Sequence, residues 1–310
     1  DWSSIPNAEV VFFNHVITPE HMPTALAHFD VIQMMRERSE IPTSVLSQLN
    51  DLKLLSGTGR RQPHVDMAEA GKLGIAITGT DSAGDSTPEL VWGLIIAVTR
   101  HIGWEDQRIR EGKWQTRLGY SLAGKTLGVL GMGRIGTKTA ITAQQSFGMN
   151  VIAWGPTLTK QRATASGVTY VGWSELFSLS DVLTIHVPLT SLSRGWVTKR
   201  ELRLMKETAF LVNTSRGPIV EKLDLLEALR NKSIAGAALD VYDFEPPSKE
   251  DPFFDLDNVL LTPHLGYATI DTLSGFYQSS VENIKAWAEG NAINLLNQDS
   301  LVNPRRKARC

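Results

Sequence analysis

Thr126-Leu127-Gly128-Val129-Leu130-Gly131-Met132-Gly133-Arg134-Ile135-Gly136 is the stretch whose reading decides the fold. Residues 126–130 form a short, almost continuously apolar run, as expected of a strand covered on both faces. A glycine turn follows, and then a segment whose apolar side carries Ile135, Ala140, Ile141 and Phe147 at helical spacing. Strand, glycine turn and helix in that order are the context a dinucleotide pyrophosphate requires. Gly131 permits the tight turn, Gly133 lets the backbone approach the phosphates, and Gly136 lets helix and strand pack closely; Arg134 and Ile135 lie in the first turn, where amide donors and the helix dipole favour an anion. The competing reading is a structural turn in an α/β domain that binds nothing.

The same alternation extends in both directions. Strands are expected at 10–13, 31–35, 52–56 and 75–78, with a helical stretch at 42–49 between them, and again at 151–154, 182–187, 210–213, 237–241 and 259–261. Residues 87–112 read as one long helix bridging two domains, opened by Thr87-Pro88-Glu89 with proline at the first helical position. Leu273, Phe276, Val281, Ile284 and Trp287 mark a further helix over 270–289. Strands alternating with helices imply parallel sheets with helices on their faces, so the chain reads as α/β with two doubly wound parallel-sheet domains. The expected boundaries are 1–96 with 271–310 for one domain and 97–270, the dinucleotide-binding domain, for the other.

Composition excludes several classes. A 310-residue chain with 42% hydrophobic and 21% charged residues is an ordinary globular composition, and a net charge of −2 supplies no field to hold a nucleic-acid backbone. Arg305, Arg306, Lys307 and Arg309 read as a solvated tail. The single cysteine, Cys310, allows no internal disulfide and no thiolate metal site, so no metal is expected and a reducing, cytoplasmic compartment is the default. The most apolar stretch, 90–98, is about half the length a bilayer span needs, which argues against a membrane.

In dinucleotide sites a carboxylate about twenty residues beyond the first glycines accepts the adenosine ribose hydroxyls. Here that position is Gly155, and no Asp or Glu occurs between Ile135 and Ser174. Lys160 and Arg162 follow instead, so nothing repels a 2′-phosphate and two cations are near it. The cofactor reads as NAD(P), with NADP(H) favoured; the other reading makes both cations solvated helix residues, with NAD bound through backbone and threonine contacts.

Three further blocks each close a strand of the second series: Asn213-Thr214-Ser215-Arg216-Gly217, then Asp240-Val241 through Glu245-Pro246, then Thr262-Pro263-His264-Leu265-Gly266. Ligands of open parallel sheets bind at carboxyl ends of strands, so an Arg, a Glu and a His converge on the cofactor crevice. Together with the glycine turn these blocks closely resemble the D-isomer-specific 2-hydroxyacid dehydrogenases, over nearly the whole chain. The resemblance implies a Rossmann-type cofactor domain inserted in a flavodoxin-like substrate domain, and hydride transfer between the nucleotide and a small 2-keto or 2-hydroxy acid. It implies that Arg216 holds the substrate carboxylate and keto oxygen, that His264 is the acid/base, and that Glu245 orients it. Asp240 would fix the nicotinamide carboxamide, Pro188 after Val187 would line the adenine pocket, and Thr214 and Gly266 would lie against the cofactor. Gly57-Thr58-Gly59-Arg60 resembles the family loop whose amides receive the substrate carboxylate, and Arg36 falls where relatives approach the same substrate; Thr58, Gly59, Arg60 and Arg36 are therefore substrate-binding candidates.

Relatives usually begin with one more apolar strand than this sequence shows before 10–13, which would leave a slot in the first sheet. The same fold also serves in nucleotide-sensing corepressors that retain the trio, so a non-catalytic interaction protein is the alternative from another class. A homodimer is implied by the family and by the arm-like stretch 114–122. Which keto acid is turned over is not legible, because a few ångströms of pocket width separate a glyoxylate site from an aromatic one.

Overall fold

A computed structural model describes residues 2–36, 38–81 and 86–298. The basic cluster at 305–309 and Cys310 lie outside the described residues. The chain divides into two compact units, Asp1–Gly84 with Thr269–Cys310, and Asp85–Ala268. The division falls earlier than the expected 96/97 boundary, because the helix beginning at Ser86 packs within the second unit.

The first unit holds a parallel three-stranded sheet, β1 (Val31–Met34), β2 (Leu54–Gly57) and β3 (Ala76–Thr78), in the order β1-β2-β3. Short helices α1 (Met22–Ala25), α2 (Thr43–Leu46) and α3 (Met67–Lys72) accompany it. β2 is buried at every position and packs with Ile41, Leu46, Leu49 and Ile77 on one side and with Val281 and Ile284 of the C-terminal helix on the other. Residues 10–13, expected as a strand, form none: Val10, Val11, Phe12 and Phe13 are exposed, and β1 is left at the sheet edge. Alternation of β-branched and aromatic residues creates a strand only where a neighbour completes the ladder.

The second unit begins with α4 (Ser86–Thr99) and α5 (Ile102–Arg110). The expected single helix over 87–112 is thus broken, by His101 in the left-handed conformation at φ 53°. The seven parallel strands are β4 (Thr126–Leu130), β5 (Asn150–Trp154), β6 (Thr169–Tyr170), β7 (Val182–Ile185), β8 (Phe210–Asn213), β9 (Gly236–Leu239) and β10 (Val259–Leu261), ordered β10-β9-β8-β7-β4-β5-β6. Strand order reverses between β4 and β7, which is the switch point where doubly wound sheets take their ligand. Helices α6 (Arg134–Phe147), α7 (Lys160–Ala165), α8 (Trp173–Leu179), α9 (Lys199–Leu202) and α10 (Lys222–Arg230) link the strands. Two separate apolar clusters form in this unit, one around Phe177, Leu183 and Leu211 and the other around Ile95, Val129 and Val151. Trp154, Trp173 and Trp196 meet edge-to-face at the rim of the first cluster, with ring centroids 4.7–5.7 Å apart. α11 (Ile270–Ala288) belongs to the first unit, and the segment after it bonds to β3 through Leu295 and Asn297.

Candidate active site

The glycine turn connects β4 to α6 at the switch point. A Cβ on Gly136 would lie 2.1 Å from the Gly131 carbonyl oxygen, and Gly131 itself has φ 104° with the His186–Val187 backbone against it. Both positions therefore exclude side chains. Gly133 is different: it caps α6, and a Cβ there meets nothing within 4 Å. The first turn of α6 contains no acidic residue, so its field favours an anion. The backbone here fits a pyrophosphate.

Other strand ends agree. Val187 is buried with its carbonyl accepting from Ser215, and the Pro188 carbonyl accepts from Ser193 Oγ at 2.7 Å. The Thr214 hydroxyl is buried without a partner among the described residues, as a group awaiting a ligand would be. Gly155, at the end of β5, is buried, and a Cβ there would make only ordinary contacts at 3.6–3.7 Å, so its size is not what bars a carboxylate. Of the two cations beyond it, Lys160 is exposed while Arg162 donates Nη1 to the Thr157 carbonyl at 2.8 Å.

The Arg–Glu–His set comes together within the second unit. Asn213 makes the Arg216 turn: its Oδ1 accepts from the Ser215 amide at 3.0 Å and its Nδ2 donates to the Arg216 carbonyl at 3.0 Å. Gly217 then lets this turn close on the next, since a Cβ there would lie 2.2 Å from the Tyr242 carbonyl carbon. Glu245 Oε1 accepts from the Tyr242 amide at 3.0 Å, and Oε2 lies 2.5 Å from His264 Nδ1. Burial pushes the Glu245 carboxyl up, but the hydrogen bonds from His264 and Tyr242 and the positive charges of His264 and Arg216 outweigh it and hold the group below its ordinary value. An ionised carboxylate only accepts, so Nδ1 carries the proton of this bond and Nε2 is the nitrogen free to exchange one.

His264 sits at φ 54°, a left-handed backbone uncommon for residues other than glycine and found at functional sites. Asp240 sustains it. Asp240, the carboxamide candidate, is wholly buried, with Oδ1 accepting from Thr262 Oγ1 at 2.6 Å and the Leu265 amide at 2.7 Å, and Oδ2 from the Gly266 amide at 3.0 Å. Burial raises its carboxyl above the usual value despite these bonds. Gly266 is likewise occupied within the fold, its carbonyl accepting from Thr87 Oγ1 at 2.7 Å. Tyr242 adds a second brace, donating its hydroxyl to the Thr262 carbonyl at 3.0 Å, and burial pushes that phenol up to about 12. Tyr267 packs its ring edge-to-face on the His264 imidazole. Sequence reasoning missed Asn213, Tyr242 and Tyr267; only Asn213 left a signal, as an Asx turn two residues before a serine amide.

The loop after β2 in the first unit carries its own hydrogen bonds. The Thr58 amide donates to the Met34 carbonyl at 3.2 Å and the Gly59 amide to Thr80 Oγ1 at 2.9 Å, so both amides expected to receive a carboxylate are taken. Arg60 forms a two-pronged pair with Asp81, with Nη2 to Oδ2 at 2.9 Å. Thr58 Oγ1 accepts from the Arg36 amide at 2.9 Å, and the Arg36 guanidinium lies over Gly59. Among the described residues no cluster of His, Cys, Asp and Glu has the arrangement of a metal site, and no helix is long and apolar enough to cross a membrane.

A doubly wound sheet with this glycine turn at its switch point, and a Glu–His pair at neighbouring strand ends, defines a dinucleotide-binding α/β protein of the dehydrogenase class. The chain belongs to the D-isomer specific 2-hydroxyacid dehydrogenases, whose NAD binding domain matches residues 92–266. It is 37% identical over 274 residues to a glyoxylate reductase of Thermococcus litoralis, covering 85% of this chain and 82% of that one. It is 35% identical over 269 residues to a D-3-phosphoglycerate dehydrogenase of Archaeoglobus fulgidus, covering 84% of this chain but 51% of the relative, so the chain spans about half that protein's length. A phosphoglycerate oxidoreductase structure from Vibrio cholerae superposes with a TM-score of 0.87 at 32% identity, covering 93% of this chain and 94% of that one.

Proposed function

We propose that the protein interconverts small 2-keto acids and D-2-hydroxy acids with a nicotinamide dinucleotide. The observation that carries this reading is the 2.5 Å contact between Glu245 Oε2 and His264 Nδ1, with Arg216 close enough to depress the same carboxylate. The dinucleotide, when bound, supplies or accepts the hydride at the substrate's C2. Arg216 binds the substrate carboxylate through a planar, permanently charged fork. His264 Nε2 delivers a proton to the keto oxygen as C2 is reduced, and takes it back from the hydroxyl in the reverse direction. Glu245 holds the imidazole in the tautomer that leaves Nε2 outward. Asp240 and Tyr242 act one step behind, fixing the turn that presents His264.

NADP(H) is the favoured dinucleotide, supported by Gly155 and by exposed Lys160; the bond from Arg162 to Thr157 leaves one cation rather than two to meet a 2′-phosphate. We also read the protein as a homodimer that covers Ile102, Ile109, Trp114 and Leu118, all exposed apolar residues of α5 and the segment after it. Sedimentation as a monomer overturns that part. The central test is initial-rate oxidation of NADPH and of NADH with glyoxylate, hydroxypyruvate, pyruvate and phenylpyruvate. Turnover of at least one acid, with the higher kcat/KM for NADPH, is expected. No turnover despite tight nucleotide binding overturns the catalytic reading, and preference for NADH overturns the cofactor assignment.

A further inference from the structure

We propose that Tyr267 is a positioning residue for His264, holding the imidazole against rotation while Glu245 holds it by hydrogen bonding; this rests on His264 acting as the acid/base. The Glu245–His264 bond at 2.5 Å constrains the ring at one nitrogen. A bond at Nδ1 alone leaves the imidazole plane free to rock about it, which sweeps Nε2, the atom that must meet the substrate oxygen. Tyr267 closes that freedom. Its ring centroid lies 5.8 Å from that of His264 at an interplanar angle of 74°, within the distance and angle range of favourable edge-to-face aromatic pairs.

The tyrosine can serve as a wall because its backbone is fixed. Gly266, its neighbour, donates to the buried Asp240 at 3.0 Å and accepts from Thr87 at 2.7 Å, and the Ala268 amide donates to the Leu265 carbonyl at 2.8 Å. One carboxylate thus pins the turn that carries both rings. Tyr267 is half-buried, with its ring beside the imidazole. Near-attack geometry tolerates little error, and a ring that rocks loses rate without losing substrate affinity.

Two variants test this, Tyr267→Leu, which keeps apolar bulk at a part-exposed position, and Tyr267→Phe, which keeps the ring. Loss of an edge-to-face pair corresponds to a fall of about two- to tenfold. Tyr267→Leu is expected to lower kcat by that factor with KM nearly unchanged and with a larger solvent deuterium isotope effect, while Tyr267→Phe retains the parent values. Imidazole nitrogen NMR of the apo-protein gives a readout independent of turnover: the His264 resonances broaden or move in Tyr267→Leu and stay in Tyr267→Phe. Unchanged kcat and unchanged His264 resonances in Tyr267→Leu overturn the proposal. So does a rise in KM alone, which would make the ring a wall for substrate, or an equal loss in Tyr267→Phe, which would assign the role to the hydroxyl. If the parent protein turns over no keto acid, the reading of function fails, and the NMR comparison still decides whether Tyr267 holds His264.

Discussion

Gly57-Thr58-Gly59-Arg60 and Gly131-Met132-Gly133-Arg134 are the same Gly-x-Gly-Arg pattern at the end of a buried parallel strand, and they come to opposite ends. In the second, Gly133 caps a helix with no acidic residue in its first turn, and a Cβ there would meet nothing within 4 Å. In the first, the Gly59 amide is bonded to Thr80, Arg60 is paired with Asp81, and no helix begins until α3 at Met67. Their packing differs as well. The Gly57 turn is filled by the Gln62 side chain, whereas Gly131 and Gly136 are hemmed in by backbone. Glycines alone therefore do not make a phosphate cradle; the helix that follows does.

The largest expected effect tests the chemistry assigned to the second unit. Asparagine tolerates the left-handed backbone that His264 adopts, so His264→Asn removes the proton donor without adding strain. kcat is expected to fall by roughly 10²–10⁴-fold while nucleotide affinity, followed by fluorescence titration, stays near that of the parent. A variant that keeps its rate breaks the contrast between a reactive and a merely structural loop cluster.

Next comes a pH dependence built into the second turn. The backbone of His186 abuts Gly131, and burial of its half-buried imidazole pulls that group from 6.5 to about 3. Because the folded value lies below the unfolded one, the unfolded chain binds the extra proton: the stabilisation is complete above pH about 6.5 and is eroded as pH falls toward 3. Between pH 7 and 4 this group should cost on the order of 3 kcal/mol. In urea denaturation followed across that range, His186→Asn should show a shallower loss than the parent. Parallel curves would place the acid sensitivity elsewhere.

Two smaller effects sharpen the packing contrast. Gly136→Ala must displace a backbone carbonyl and is expected to cost about 1–3 kcal/mol, with loss of nucleotide affinity. Gly57→Ala needs only Gln62 to move, losing its 2.9 Å bond to the Gly59 carbonyl, and should cost about 1 kcal/mol. Denaturation midpoints that rank them the other way refute the distinction between the two turns. Smallest of all, Asp81→Asn breaks an exposed pair with Arg60 and should leave the melting temperature unresolved from the parent's, because solvent screens such contacts.

Much of the second unit was legible because its signals are local. The strand, glycine turn and helix at 126–147 are contiguous, and Arg216, Glu245 and His264 each follow a strand that reads clearly by itself. What escaped depends on residues distant in sequence. The run at 10–13 carries strand chemistry but no ladder partner, and the break at His101 interrupts a pattern that is helical on both sides. Asp240 lay in a recognised block, yet its engagement with Thr262, Leu265 and Gly266 is a tertiary fact. Thr80 and Asp81, which bond the Gly59 amide and Arg60, arrive from the end of a different strand, so these partners of the first loop are not readable locally.

The three tryptophans at the rim of the second sheet give the molecule an optical signature. Trp154 immediately precedes Gly155, and its indole touches those of Trp173 and Trp196, which brings three chromophores into coupling range at the end of β5. Excited states shared across such a trio produce a paired positive and negative ellipticity band and an emission colour sensitive to small tilts of any ring. The packing of this rim is then visible in the protein's own light, with no dye attached.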